Sequence, residues 1–178
     1  MMVLATGGAA SGKSALAEDI VCHLAQGQPM LYVAAMEPYG EEAQKRIARH
    51  RALRAGKGFE TLEHAKRFDT MHIARHYRAG LFECMSNALA NEWFSPDGAG
   101  ENWKQSILCG VHTMMQACDH VVIVTNEIFT DGCQYDASCQ AYIHALGQLN
   151  QLLAEQADAV TECVCGIPLW IKGESIFA

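Results

Sequence analysis

Gly7-Gly8-Ala9-Ala10-Ser11-Gly12-Lys13-Ser14 is the stretch that decides the fold of this 178-residue chain. It matches the pattern G-x-x-x-x-G-K-S without substitution, and it stands between an apolar run, Met1–Thr6, and a helical pattern that begins at Lys13. Glycines let such a loop turn its backbone N–H groups toward phosphate oxygens, and the dipole of the following helix adds positive potential there. The stretch, hereafter the phosphate loop, therefore predicts nucleotide binding between a buried strand and a helix.

The last two residues of the phosphate loop carry the side chains that would act on a nucleotide. Lys13 is expected against the outer phosphates, and the Ser14 hydroxyl is expected to hold Mg²⁺. Such a site also needs a carboxylate at the end of a neighbouring strand, and both Glu83 and Glu127 qualify. For each glutamate alone, a solvated strand end is the alternative interpretation.

Alternating apolar runs and helical patterns predict an α/β fold along the whole chain. Strand patterns and helix patterns follow one another with turn residues between them, which indicates a mostly parallel sheet flanked by helices, and the length suits one domain over residues 1–178. Ser95–Gly100 is rich in turn formers and is expected to be a surface connection or a mobile flap. The predicted strands are Met1–Thr6, Met30–Ala35, Phe59–Glu63, Gly80–Cys84, His120–Thr125 and two strands within Ala159–Lys172; the predicted helices are Lys13–Ala25, Glu41–Arg54, Asp69–Arg78, a segment ending at Leu89, Trp103–Cys118 and Ser138–Gln156.

Composition narrows the classes of partner. The formal net charge of -7 disfavours a sequence-independent grip on nucleic acid, so no nucleic-acid partner is expected. No signal peptide or apolar run of about 18 residues is present, which predicts a soluble cytoplasmic protein without a membrane span. The eight cysteines contain no Cys-x-x-Cys pair, and the patterns around Cys22, Cys118, Cys163 and Cys165 predict buried thiols rather than metal ligands.

A basic helix pattern follows the second predicted strand. Arg46, His50 and Arg54 are four residues apart, so a helix would place an imidazole between two guanidinium groups on one face. Such a face suits a triphosphate, and cations around a neutral imidazole would steady a leaving pyrophosphate while the histidine attacks an α-phosphorus. The alternative interpretation is a solvated charged helix.

Nearly the whole chain resembles the bifunctional adenosylcobinamide kinase and adenosylcobinamide-phosphate guanylyltransferase family of cobalamin nucleotide-loop assembly. The matching segments keep their order and spacing, and those outside the phosphate loop make the resemblance specific. They are Thr6–Ser14 with Ala17-Glu18, Tyr32-Val33-Ala34, Arg46–Arg51 with Arg54, Glu83-Cys84, Val124–Glu127, Gly147–Ala154, Ala157-Asp158, Gly166-Ile167-Pro168 and Lys172-Gly173.

The resemblance implies a mechanism and a set of site residues. His50 would take GMP from GTP, release pyrophosphate and pass GMP to adenosylcobinamide phosphate, a corrinoid. The kinase step, with GTP or ATP and Mg²⁺, would phosphorylate the aminopropanol hydroxyl of adenosylcobinamide. It also implies a RecA-like fold and a homotrimer with the active site between subunits. The implied nucleotide contacts are Gly7, Gly8, Ala9, Ala10, Ser11, Gly12, Lys13, Ser14, Ala34, Ala35, Met36, Arg51, Ala52, Leu53, Arg54, Glu63 and Glu83.

The chain departs from the family pattern in places that bear on the acceptor. Relatives often carry arginine where this chain has Ala10, and their residues differ at Ala55 and Phe59. Many also continue after Asn126-Glu127 with glycines, a proline and several arginines, whereas Ser138–His144 here contains no arginine. Guanylyl transfer is therefore expected more firmly than kinase activity. The alternatives are a nucleotide-binding regulatory protein that has lost turnover and a P-loop small-molecule kinase with another acceptor.

Overall fold

A computed structural model describes residues 1–37, 40–129 and 132–177, apart from the side chains of Glu42, Ala43, Arg46 and Leu53. Within this part of the chain, seven strands form one sheet in the order β3-β2-β4-β5-β1-β6-β7, parallel except for β7, which runs antiparallel to β6. The strands are β1 Met2–Thr6, β2 Met30–Ala34, β3 Phe59–Glu63, β4 Tyr77–Glu83, β5 Cys118–Val124, β6 Ala159–Val164 and β7 Ile167–Lys172; the helices are α1 Lys13–Ala25, α2 Gly40–Arg54, α3 Met85–Phe94, α4 Trp103–Ala117 and α5 Ala137–Gln156.

The central strands are apolar on both faces because helices cover both sides of the sheet. In β1, Met2 and Leu4 face a core that contains buried residues of α3, α4 and α5, while Val3 and Ala5 face a second core built on α1. Burial on both sides explains the near-continuous apolar runs, and it confirms the predicted α/β class with a mostly parallel sheet.

The predicted helix over Asp69–Arg78 is wrong. A 3-10 turn covers only Phe68–Thr70, and β4 begins at Tyr77, three residues before the predicted strand start. Tertiary contacts override local propensity here: the buried Glu92 carboxylate accepts the Phe68 N–H at 2.9 Å, and Tyr77 pairs with Cys118 on β5.

Smaller departures occur at the ends of several elements. Helix α3 continues to Phe94 rather than Leu89, and α4 ends at Ala117 because Cys118 opens β5. The Ser95–Gly100 connection is held by a hydrogen bond from Ala99 N to Glu92 Oε2 at 2.9 Å, and Gly100 begins a short 3-10 turn through Asn102.

The cysteines are free thiols, but their burial is mixed. Cys118 and Cys163 are buried as predicted, and Cys22 is half-buried. Cys165 is exposed, which contradicts the prediction, because the strand ends at Val164 and Cys165 lies in the turn with φ +51°. Within the described ranges, no helix is both long enough and apolar enough to cross a bilayer.

Candidate functional site

The phosphate loop joins β1 to α1 at the carboxyl edge of the sheet. Gly7 and Gly12 have φ of +156° and +96°, and a Cβ on Gly7 would lie 2.6 Å from Ser11 Oγ and 2.7 Å from the Cys163 carbonyl oxygen. Only glycine suits such a position. The Ser11 carbonyl accepts hydrogen bonds from Gly166 N at 2.8 Å and Cys163 Sγ at 3.2 Å. Strand β6 and the turn that follows it therefore hold the loop in place.

Lys13 and Ser14 lie where the motif predicts them, at the start of α1. Lys13 is buried, and its ammonium donates a hydrogen bond of 2.9 Å to the Gly8 carbonyl, so the side chain folds back along the loop. The Ser14 hydroxyl donates to Glu83 Oε1. Hydroxyl and carboxylate oxygens are the ligands that Mg²⁺ prefers, so this pair fits the predicted metal.

Of the two candidate carboxylates, Glu83 meets the phosphate loop directly. Glu127 approaches it through the backbone, since its N–H donates to the Gly7 carbonyl at 3.0 Å, while its carboxylate accepts the Phe129 N–H at 2.8 Å. Glu83 ends β4, which is separated from β1 only by β5, and this strand order brings its carboxylate to Ser14.

Glu83 is almost fully buried, with 6% of its surface exposed, yet it is well supplied with donors. The Tyr32 hydroxyl donates to Oε2 at 2.8 Å, and His50 Nδ1 lies 3.5 Å from Oε1. Burial raises the pKa of the Glu83 carboxyl, but the His50 imidazole, the Ser14 hydroxyl and the Tyr32 hydroxyl outweigh it, so this pKa is lowered. Glu83 is therefore ionised at neutral pH. Burial also raises the pKa of Tyr32 far above its ordinary value, which keeps that phenol a donor.

Helix α2 carries His50 to this carboxylate. Among the described residues, the buried Nδ1 atom of His50 makes no hydrogen bond, because 3.5 Å to Glu83 is longer than a good one. At the end of α2, the Arg54 guanidinium lies 3.5 Å from the centre of the Tyr32 ring, a cation–π contact. Beyond it, Lys57 Nζ donates to the fully buried Glu18 of α1 at 2.7 Å. These contacts hold the end of α2 against α1 and β2.

A narrow cavity of about 60 Å³ lies between α2 and the carboxyl ends of β2, β3 and β4. Ligand pockets usually span about 300–1,000 Å³. This cavity is much smaller because α2 packs closely over the strand ends. Seven of the predicted site residues line it together with Tyr32 and Ile47; they are Ala34, Met36, His50, Arg51, Arg54, Glu63 and Glu83.

Two of the remaining predicted residues lie apart from the cavity wall. Ala35 is buried and donates its N–H to the Glu83 carbonyl at 2.9 Å, while Ala52 is exposed on α2. The side chains of Leu53 and Arg46 lie outside the described residues. At the rim, Arg51 donates to Glu63, and both side chains are exposed.

Tyr32 and Ile47 are the site residues that the sequence reasoning missed. Tyr32 sits in an apolar strand, where a phenol needs a hydrogen-bond partner when buried, so its hydroxyl was a usable signal of a polar group nearby. Ile47 lies one helical turn before Arg51 on α2 and so shares a helix face with it, a relation that helical spacing alone could have revealed.

Known structures share this fold. The flagellar accessory protein FlaH from Methanocaldococcus jannaschii matches 98% of this chain and 79% of its own length at 10% identity, with a TM-score of 0.52. The ATPase domain of G40P matches 90% of this chain and 68% of its own length at 9% identity, with a TM-score of 0.51. These likenesses confirm the RecA-like P-loop prediction for the fold.

Sequence relatives match over almost their full lengths. The bifunctional adenosylcobalamin biosynthesis protein CobU of Salmonella typhimurium is 31% identical, and that of Escherichia coli is 30% identical; each alignment covers 97% of this chain and 100% of the relative. The corresponding protein CobP of Pseudomonas aeruginosa is 29% identical over 99% of this chain and 100% of its own. The family model described as cobinamide kinase / cobinamide phosphate guanyltransferase matches residues 3–171. With His50, Glu83 and the phosphate loop adjacent in space, this chain belongs to the cobinamide kinase / cobinamide phosphate guanyltransferase family.

Proposed function

We propose that this enzyme phosphorylates adenosylcobinamide and then transfers GMP from GTP to the product, with His50 as the covalent intermediate. The observation that carries the proposal is the shared position of Glu83, which contacts Ser14 of the phosphate loop on one side and faces His50 on the other. One carboxylate therefore serves both halves of the site. The family membership supports the pair of reactions, and the corrinoid acceptor follows from it.

In guanylyl transfer, the His50 imidazole attacks the α-phosphorus of GTP. Because Nδ1 faces the Glu83 carboxylate, a proton on Nδ1 leaves the Nε2 lone pair for attack. A nitrogen–phosphorus bond forms, the bond to the bridging oxygen breaks, and pyrophosphate leaves with that electron pair. A phosphate oxygen of adenosylcobinamide phosphate then attacks the same phosphorus, which releases His50. Arg51 and Arg54 would hold the triphosphate charge.

In the kinase step, the aminopropanol hydroxyl of adenosylcobinamide attacks the γ-phosphorus of GTP or ATP and loses its proton to solvent. The bond from this phosphorus to the β–γ bridging oxygen breaks, and the nucleoside diphosphate leaves with that electron pair. Lys13 and the backbone N–H groups of the phosphate loop hold the phosphates in line for attack. Ser14 and Glu83 would hold Mg²⁺, which supplies charge neutralisation to the transferred group when bound.

The family resemblance also supports proposals on domain organisation, cellular location and oligomeric state. We propose one catalytic domain over residues 1–178, a cytoplasmic location and a homotrimer. The implied nucleotide contacts of Ala34, Ala35, Met36, Arg51, Ala52, Leu53, Arg54 and Glu63 belong to the same proposal.

A covalent label tests the role of His50. Incubation with α-labelled GTP should leave a label on the protein that survives alkali and is lost in acid, as a phosphoramidate is. His50→Ala should lose the label, whereas His64→Ala, at the end of β3 on the same sheet edge, should keep it. A label that persists in His50→Ala would overturn the assignment, and tight GTP binding with neither label nor phosphorylated corrinoid would overturn the enzyme function.

A further inference from the structure

We propose that a second pocket, formed by the outer face of α5 and by Ile128, Phe129, Gly132, Cys133 and Tyr135, binds the amide-bearing edge of the corrinoid acceptor. This α5 pocket is separate from the His50 cavity, and no residue lines both. The inference rests on the proposed function and names where its acceptor is held.

Both walls of the α5 pocket are tied to the residues that follow β5, Thr125 to Glu127. The wall that contains Ile128 and Phe129 follows Glu127, whose N–H donates to the Gly7 carbonyl at 3.0 Å. The helix wall is tied to the same strand end, since Thr125 Oγ1 donates to Asn150 Oδ1 at 2.6 Å and Asn150 Nδ2 donates to the Asn126 carbonyl at 3.3 Å. The pocket therefore adjoins the residues after β5 that contact the phosphate loop.

The size and apolar surface of the α5 pocket suit a large ring system. Its volume of about 560 Å³ lies within the usual range for small-molecule sites, about 300–1,000 Å³. Phe129, Tyr135 and Ile143 supply apolar surface, and Phe129 is 44% exposed. A Cβ on Gly147 would lie 3.6 Å from the Phe129 ring, at van der Waals contact, so this ring lies against the helix and a longer side chain at position 147 would press on it.

Three carboxamides line the α5 pocket, beside the His144 imidazole, the Tyr135 phenol and the Cys133 thiol. Gln140, Gln148 and Gln151 line it from one face of α5, and its described lining contains no lysine, arginine, aspartate or glutamate. Two of these amides use their nitrogen within the protein: Gln140 Nε2 donates to the Tyr135 carbonyl at 2.8 Å, and Gln148 Nε2 lies 3.0 Å from His144 Nε2. Each carboxamide can both donate and accept.

This lining matches the neutral part of the acceptor. The rim of a corrinoid ring carries carboxamide side chains, which pair with glutamines through mutual N–H···O hydrogen bonds, while the ring itself is broad and apolar. A phosphate would instead call for cations, and Ser138–His144 contains no arginine. The α5 pocket therefore holds the corrinoid body, with the reacting hydroxyl or phosphate pointing to the phosphate loop.

Binding of dicyanocobinamide, followed by equilibrium dialysis and its visible absorbance, tests the inference. The double variant Gln148→Leu with Gln151→Leu should raise the Kd for cobinamide about tenfold or more, since each of the two lost hydrogen bonds is worth about fivefold. It should leave the α-labelled GTP reaction within about twofold of wild type. Gln116→Leu is the matched control, because Gln116 lies 2.9 Å from His112 on α4 in the same four-residue spacing. Gly147→Leu, which pushes a side chain toward Phe129, should weaken binding independently.

The outcomes separate the two proposals. Unchanged cobinamide binding in both α5 variants would overturn the α5 pocket while the His50 label stands. Absence of cobinamide binding to the wild-type protein, with the label present, would do the same. Loss of the label in wild type together with binding that depends on Gln148 and Gln151 would keep the pocket and sink the proposed guanylyl transfer.

Discussion

A single side chain, Glu83, links the phosphate loop to the histidine cavity. Its Oε1 atom faces both the Ser14 hydroxyl and His50 Nδ1, and its Oε2 atom accepts from Tyr32. A buried carboxylate without such donors would be protonated, because burial alone disfavours its charge. The donors keep it ionised, and an ionised group is what both a metal and an imidazole proton require.

The ionisation of Glu83 gives a pH-dependent prediction for Glu83→Gln. The contacts lower the pKa of Glu83 below its ordinary value of 4.5. Its ionised form is thus favoured by folding: the contribution to stability is complete above about pH 5 and is lost as the pH falls through the folded-state pKa. We expect the difference in free energy of unfolding between wild type and variant to decrease as the solution is acidified below about pH 5.

Urea unfolding of both proteins across this pH range measures that difference directly. Other acidic groups titrate alike in the two proteins and cancel. A difference that stays constant or grows on acidification would contradict the assignment of Glu83 as the stabilised carboxylate.

Two adjacent glycines of the phosphate loop provide a matched pair. Alanine at Gly7 would face a φ of +156° and contacts of 2.6 and 2.7 Å, whereas a Cβ at Gly8 meets nothing within 4 Å. We expect Gly7→Ala to cost about 2 kcal/mol, or about 4–8 °C in Tm for a chain of this size, and Gly8→Ala to stay within about 2 °C. Thermal unfolding without nucleotide makes the comparison, and equal Tm values for the two variants would refute the steric account of Gly7.

At the level of elements, the hydrophobic pattern of the sequence predicted the strands that lie in the middle of the sheet. The runs that became β1, β2 and β5 are buried on both faces, so their apolar character shows in the residues themselves. Asp69–Arg78 failed because its structure depends on distant partners, Glu92 and Cys118. The candidate site shows the same division. Glu83 was predictable as a strand end, but its choice over Glu127 depends on strand order, which no local pattern encodes.

The end of α2 depends on an ion pair with α1, and this gives a prediction about Lys57. Glu18 is fully buried, and Lys57 is its described cationic partner at 2.7 Å, with 31% of the lysine side chain exposed. Lys57→Met would leave the Glu18 carboxylate buried without this cation. Breaking a buried pair costs about 3–5 kcal/mol, and the partial exposure of Lys57 reduces this to about 2–3 kcal/mol of unfolding free energy.

Lys66→Met is the control for that substitution. Lys66 pairs with Asp97 at 2.7 Å and with Glu37 at 2.8 Å, and the side chains of these partners are 68% and 32% exposed. Water can therefore replace the lost cation, and the loss of stability should be clearly smaller than for Lys57→Met. Urea unfolding of both variants tests the difference. Equal losses would show that the Glu18–Lys57 pair contributes no more than an exposed pair does.

For the whole molecule, the outer strand β7 bears on the proposed homotrimer. Its side chains alternate: Trp170 packs against the core on α1, while Ile167, Leu169 and Ile171 face away with 61%, 49% and 65% of their surfaces exposed. The strand also has one backbone edge beyond its pairing with β6. Proteins usually cover an apolar strand at the edge of a sheet or protect it with charged residues, because such a strand can pair with another chain. We therefore expect β7 to lie at the subunit contact.

Leu169→Arg tests that expectation, because a charge in the middle of the apolar row would have to be buried in the contact without a partner. We expect sedimentation equilibrium to give the mass of three 19.5 kDa chains for wild type and of one chain for the variant. Phe94→Arg serves as the control, since Phe94 is 57% exposed at the end of α3, away from β7, and the trimer should persist there. A wild-type monomer would contradict the trimer itself. A trimer that survives Leu169→Arg would instead place the contact on another face and leave the apolar row of β7 without this explanation.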